Sequence, residues 1–154
     1  MGYKGTLIAV SDLEKSRRFY ECVLDMPVVE DFGSNLQLNG VFLQSAESWL
    51  GFIGKNGEDL RFQNNVTELY FETEDMDGFV AKLQGMPDIS YVHPLLEHSW
   101  GQRGIRFYDP DGHMIEVSEE IGSVARRFLE AGMTREQVAQ RMDTSLAYVE
   151  GLLK

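Results

Sequence analysis

Residues 101–119, GQRGIRFYDPDGHMIEVSE, decide the fold, because they read as two strands joined by a tight reversal. Ile105, Phe107 and Tyr108 lead in, and Met114, Ile115 and Val117 lead out. Between them, Asp109-Pro110-Asp111-Gly112 has Pro where its ring pre-sets φ and Gly where a turn needs positive φ. The spacing predicts a β-hairpin. On its outgoing strand Met114, Glu116 and Ser118 share one face and Ile115 and Val117 the other, since side chains alternate with period two. One face packs, while the other carries a carboxylate that either meets solvent or lines a cavity.

Around this hairpin stand 154 residues, enough for one sizeable core with a short appendage. Apolar residues make up 43% and charged residues 25%, the proportions of an ordinary globular chain. No run of eighteen apolar residues exists and MGYKGTLIAVSDLEK has no signal-peptide pattern, so the expectation is a cytoplasmic protein without a membrane partner. Cys22 is the single cysteine, which rules out an intramolecular disulfide or a cysteine-built zinc site. Between Tyr20 and Val23 it is expected to be a small buried hydrophobe. The net charge of −11 is uneven: the segment beyond residue 120 carries five basic and four acidic residues, so the first 120 hold −12. Such a body repels nucleic acid and favours a cationic or neutral ligand.

Toward the N-terminus, Thr6–Val10 is a short strand, and Ser11 followed by Glu14 predicts a capping box opening a helix. Leu13, Ser16, Phe19, Tyr20, Val23 and Leu24 recur at helical spacing, and Pro27 stops the run. Val28–Phe32, Leu36–Leu38 and Val41–Gln44 follow as strands punctuated by Gly33-Ser34-Asn35 and Asn39-Gly40. Residues 45–65 hold three glycines without a clean period and read as a connector in which Trp49, Phe52 and Phe62 need cover. Thr67–Thr73 is a strand, Met76, Phe79, Val80 and Leu83 mark a second helix, and Tyr91–Leu96 with the hairpin completes a second β-α-β-β-β unit. Aligning Asp12 with Asp75 pairs Ile8 with Phe71 and Leu13 with Met76, an internal duplication of about sixty residues.

In this order, DLEKSRRFYECVLDM, ELYFETEDMDGFVAKL and WGQRGIRFYDPDGHMIEV resemble the glyoxalase/bleomycin-resistance family, also called the vicinal oxygen chelate superfamily. The resemblance covers roughly residues 4–120, giving a domain 1–120 with modules at about 4–45 and 66–120, and a tail 121–154. It implies an α+β fold: two βαβββ modules whose sheets form an open curled barrel around a cavity, usually in a homodimer. Family activities run from lyases and isomerases to thiol transfer and metal-free drug sequestration, so the fold leaves the function open. Metal-dependent members draw ligands, commonly His and Glu, from the first and last strand of each module. Here those positions fall on Gly5, Gln44, Glu68 and Glu116, and only Glu116 has the usual type. A site with no imidazole does not suit a first-row transition metal, so no cofactor is expected; a hard divalent metal would take Glu68, Glu116 and Gln44.

Of the histidines, His113 is expected to face solvent in the hairpin turn, and His93 to be a hydrogen-bonded structural residue before Pro94. His98 and Trp100 lie in a connection that the family topology places near the cavity mouth, where an imidazole beside an indole suits an aromatic ligand. Strand parity adds Phe42, Gln44, Tyr70, Glu72 and Met114 to a lining that holds Glu68 and Glu116. Acidic and aromatic together, it favours a cation or an aromatic ring. Glu116 and Glu68 alternatively act as catalytic acid and base on a small carbonyl compound.

The tail resembles a helix-turn-helix: Val124, Phe128 and Leu129, then Gly132, a capping box at Thr134–Gln137, a break at Asp143-Thr144, and Leu146, Val149, Leu152 and Leu153. Its last helix, SLAYVEGLLK, lacks the Arg, Asn or Gln that read base edges, which argues against nucleic acid as a partner and for packing on the body of the protein. The leading expectation is a metal-free small-molecule-binding protein that sequesters a cationic or aromatic ligand. A lyase or isomerase, and a ligand-sensing transcriptional regulator, are the alternatives.

Overall fold

Asp12 and Asp75, the residues that align the two halves, do the same work in each. Asp12 accepts a hydrogen bond from the backbone N–H of Lys15, and Asp75 from that of Gly78, so each carboxylate caps the helix that follows it. The computed structural model describes residues 1–154. It divides into two units, residues 1–67 with 108–113, and residues 68–107 with 114–154.

In the first unit, β1 (Thr6–Val10), α1 (Leu13–Leu24), β2 (Glu30–Asp31), β3 (Asn35–Gln37) and β4 (Val41–Ser45) form a mixed sheet in the order β1-β4-β3-β2. β1 runs parallel to β4 with Thr6 opposite Val41 and Val10 opposite Ser45, and the other pairings are antiparallel. Ser16, Tyr20 and Val23 are the buried stripe of α1, and they belong with Val10, Leu36, Leu38, Val41 and Leu43 in the core.

Three expectations are corrected within residues 1–67. The cap of α1 is Asp12 and not Ser11, whose N–H and hydroxyl both donate to Asp111 in the hairpin turn. Cys22 is exposed, because it lies off the Ser16–Tyr20–Val23 stripe. The connector 45–65 contains a helix, α2 (Ala46–Ile53), capped by Ser45 on the N–H of Ser48 and closed by Gly54 at φ 63°, and then a 3₁₀ turn at Gly57–Asp59. Phe52 stays 73% exposed on α2, while Phe62 sets its ring edge-on to His113 at 5.9 Å.

The turn at 108–113 is tied together by Asp109. Its buried carboxylate accepts from Tyr20 Oη at 3.0 Å, from the N–H of Asp111 and of His113, and stands 2.8 Å from His113 Nδ1. His113 is therefore pinned and only partly exposed, against the expectation that it faces solvent. Burial first, and then the Asp109 charge, push the Tyr20 phenol well above its ordinary range.

The second unit repeats the plan. β5 (Glu68–Thr73), α3 (Met76–Gln84), β6 (Ser90–Glu97), β7 (Arg103–Tyr108) and β8 (Met114–Glu119) form a sheet ordered β5-β8-β7-β6. β5 runs parallel to β8, with Tyr70 opposite Glu116 and Glu72 opposite Ser118. Ile105, Phe107, Ile115 and Val117 are buried with Met76 and Leu83 of α3, and the rings of Phe79 and Phe107 lie 6.2 Å apart. This leaves the other face of the sheet to polar side chains.

The tail forms α4 (Ile121–Glu130), α5 (Arg135–Arg141) and α6 (Leu146–Leu152) around Val124, Ala125, Phe128, Val138, Ala139, Met142 and Val149. The capping box at Thr134 and Gln137 is present, and Asp143 at φ 52° makes the break before α6. The tail docks on the second unit through its arginines. Arg127 donates to Glu119 at 2.9 Å and to the Gly101 carbonyl at 2.6 Å, and Arg141 donates to Glu97 at 2.7 Å and to the Ser99 carbonyl. Both guanidinium groups lie over the Phe128 ring. No helix is long and apolar enough to cross a membrane.

Candidate functional site

The polar face of the second sheet follows from strand parity. Glu68, Tyr70 and Glu72 on β5, Met114, Glu116 and Ser118 on β8, and Gly104 and Arg106 on β7 alternate with the core residues just described. Asp109 N–H donates to the carbonyl of His113 across the turn, and counting outward sets Arg106 opposite Glu116 and Gly104 opposite Ser118.

Arg106 is the centre of this face. Its Nε donates to Glu68 at 3.0 Å, its Nη2 to Glu116, and its Nη1 stands 3.3 Å from His93 Nε2. His93 Nδ1 lies 2.8 Å from the Pro94 carbonyl, which only accepts, so Nδ1 carries the proton and Nε2 receives the arginine N–H. His93 is thus the hydrogen-bonded structural residue expected. Glu116 is 5% exposed, and its other oxygen accepts from Ser118 Oγ at 2.7 Å. Glu68, Glu72 and Glu116 outnumber the one guanidinium, so the face stays acidic while its most buried carboxylate is neutralised.

Beside it runs a second network. His98 and Trp100 stack with ring centroids 4.4 Å apart and planes within 2°. Trp100 Nε1 donates to Gln102 Oε1 at 3.0 Å; Gln102 Nε2 donates to Tyr70 Oη at 3.1 Å and to the Glu119 carbonyl; Tyr70 Oη donates to Glu72 at 2.8 Å. Tyr70 is half-exposed, and burial, followed by its hydrogen bond to Glu72, raises its phenol above the ordinary value. The indole and the phenol are thereby fixed at one edge of the polar face.

The structure thus brings together six of the sequence-predicted residues in the second unit: Glu68, Tyr70, His98, Trp100, Met114 and Glu116. Phe42 and Gln44 belong to the first. Gln44 is 3% exposed and its amide is committed locally, with Oε1 accepting from Asn35 and Nε2 donating to the Ser34 carbonyl and Ser48 Oγ. It fastens β3 and the start of α2 to β4. Phe42, half-buried, stands over Gly5, where a Cβ would lie 2.9 Å from the ring and 2.5 Å from the Gly40 carbonyl oxygen. Sequence reasoning put Ser118 on the Glu116 face without giving it a role and passed over Arg106, Gln102 and Gly104, although parity counted outward from the hairpin turn marks Arg106 and Gly104 as partners on that face.

The donor set does not suit a divalent cation. In the second unit Arg106 already supplies the positive charge between Glu68 and Glu116. No three His, Cys, Asp or Glu side chains stand together as a metal-binding group.

A parallel first-to-last strand pairing repeated in two βαβββ sheets defines a fold of the glyoxalase/bleomycin-resistance class. The chain belongs to the glyoxalase-like domain family, whose model matches residues 3–122. It is 29% identical over 161 residues to the metallothiol transferase FosB of Bacillus licheniformis, covering 100% of this chain and 92% of that one. Among solved structures, a protein of unknown function from Agrobacterium tumefaciens str. C58 is 33% identical with a TM-score of 0.70, covering 78% of this chain and 94% of that one. A glyoxalase/bleomycin resistance protein/dioxygenase from Nocardioides superposes with a TM-score of 0.64 at 18% identity, over 77% of this chain and 83% of that one.

Proposed function

We propose that the polar face of the second sheet is the ligand-binding face of a metal-free small-molecule-binding protein of the glyoxalase/bleomycin-resistance type. The observation that carries this reading is Arg106, whose guanidinium joins Glu68 to Glu116 and so fills the electrostatic role that a metal takes elsewhere in such a fold. The His98–Trp100 stack supports an aromatic ligand, and the unneutralised carboxylates around Tyr70 support one that is neutral or cationic. Association of two copies is supported by β6, an edge strand that exposes Tyr91, Val92 and Leu96. Sedimentation velocity reads that state directly.

The test is a thermal-shift screen of cationic and planar aromatic compounds, followed by fluorescence titration of each hit. A ligand that binds only the folded chain raises its melting temperature. The reading predicts that hits quench tryptophan emission in the parent and not in Trp100→Phe, where Trp49 alone emits. Hits that quench both proteins equally contradict it.

A lyase or isomerase reading is favoured by one observation, the placement of His98 Nε2 near the buried Glu116 carboxylate. For the tail, a DNA-reading role finds no support, since Arg127 and Arg141 are spent on Glu119 and Glu97 and the exposed part of α6 offers Ala147, Tyr148 and Glu150.

A further inference from the structure

The two carbonyls that flank Trp100 are both taken by arginines of the tail. Arg141 donates to the Ser99 carbonyl, and Arg127 donates to the Gly101 carbonyl at 2.6 Å. The same guanidinium groups close on the Glu97 carboxylate, Arg141 at 2.7 Å and Arg127 at 3.7 Å. Both lie over the Phe128 ring, whose edge abuts Gly101.

This grip falls on the aromatic part of the ligand face. Trp100 is 38% exposed, stacks on His98 and is tied through Gln102 to Tyr70. His98 Nε2 is buried without a hydrogen-bond partner, and the stack holds its ring. Gln102 also donates to the Glu119 carbonyl, while the Glu119 carboxylate accepts from Arg127. Arg127 therefore meets the network from two sides, through the Gly101 backbone and through Glu119.

The tail has the construction of a body that docks as one piece. Its core, which includes Val124, Phe128, Val138 and Val149, and the apolar side chains packed against that core all come from the tail itself. Its two ties to the rest of the unit differ in strength. Arg127 meets a carboxylate that is 4% exposed and anchors the root of the tail, whereas the Arg141–Glu97 pair is 34% and 41% exposed. Exposed ion pairs contribute little individually, so the outer tie is the one whose opening a bound ligand is able to bias.

We infer that the tail is a clamp on the aromatic wall of the ligand face, with Arg141 the positioning residue that closes it over Ser99 and Glu97. The inference rests on the ligand-binding face proposed above and names how that face is regulated. A ligand seated on Trp100 favours the docked tail, and the docked tail favours the ligand by the same factor.

The test uses quinoline and N-methylquinolinium, a neutral and a cationic planar aromatic compound. Each is titrated into the ¹⁵N-labelled full chain while the Trp100 indole N–H signal, assigned with Trp100→Phe, gives the affinity. Hydrogen exchange with and without saturating probe then compares α4–α6 with α3 of the same unit. The clamp predicts that bound probe slows exchange in the tail about fivefold, the lower end of coupling between sites, and leaves α3 unchanged. Arg141→Gln is expected to weaken binding by that same factor, and the exchange comparison in the parent stands on its own if this variant does not fold. Equal slowing of α3 and the tail, or no slowing in a chain whose Trp100 signal shifts, overturns the clamp and leaves the ligand face standing. Parental affinity in a folded Arg141→Gln also overturns it. Failure of both probes to shift Trp100 saturably overturns the clamp together with the face.

Discussion

Arg106 and Glu116 oppose each other across the last hairpin and form an ion pair in which 5% of the carboxylate residue meets solvent. Such a pair is neutral as a unit, yet either half alone is costly in a buried site. Arg106→Leu is therefore expected to lower unfolding stability by about 3 kcal/mol, near the lower end for breaking a buried pair because the arginine is partly exposed. The double variant Arg106→Leu with Glu116→Gln is expected to recover part of that loss. Urea denaturation of the three proteins reads it, and an unchanged midpoint in the single variant contradicts the pairing.

Glu119 holds the tail to the second unit. Burial pushes its carboxyl up, but the hydrogen bonds and charges of Arg127 and Arg103 outweigh this and hold it below its ordinary value of 4.5. A depressed folded value stabilises the native state above the unfolded value, and this is lost as pH falls through the folded one. Stability is thus expected to decline on acidification below about pH 4.5, with a shallower decline in Glu119→Gln. Melting temperatures between pH 3 and 7, taken as a working range of roughly that width, check it; parallel curves for the two proteins would remove Glu119 from the acid response.

Gly101 has φ of 90°, and a Cβ there would run into the Phe128 ring. Gly101→Ala adds backbone strain to a steric clash, and is expected to cost about 2 kcal/mol or more. Since Gly101 adjoins Trp100, the near-ultraviolet dichroism of the His98–Trp100 stack is expected to weaken with it. A variant with parental stability and spectrum would show that the tail does not hold this connection.

Cys22 is exposed on α1 and belongs to no disulfide. One thiol per chain is expected to react with a chromogenic disulfide reagent without denaturant. Reaction only after unfolding would place Cys22 inside.

Much of this was legible in the sequence because period and caps agree. Asp12 and Asp75 mark the duplication and prove to be equivalent caps, and Asp109–Gly112 sets the register of the hairpin. The helix at Ala46–Ile53 was hidden by Gly51 and by a short apolar run without a buried stripe, leaving its Ser45 cap as the sole signal. Arg106 was hidden differently. Composition counts charges but does not pair them, so Glu68 and Glu116 read as a bare acidic lining until the strand opposite is placed beside them. The orphaned His98 nitrogen is a property of three-dimensional packing that no spacing announces.

The most direct measurement of the central claim is calorimetric titration of the chelator-treated chain with Mn²⁺ and with Zn²⁺. A face whose cation is Arg106 predicts no stoichiometric binding of either ion. One ion bound per chain, with affinity lost in both Glu68→Gln and Glu116→Gln, would contradict it.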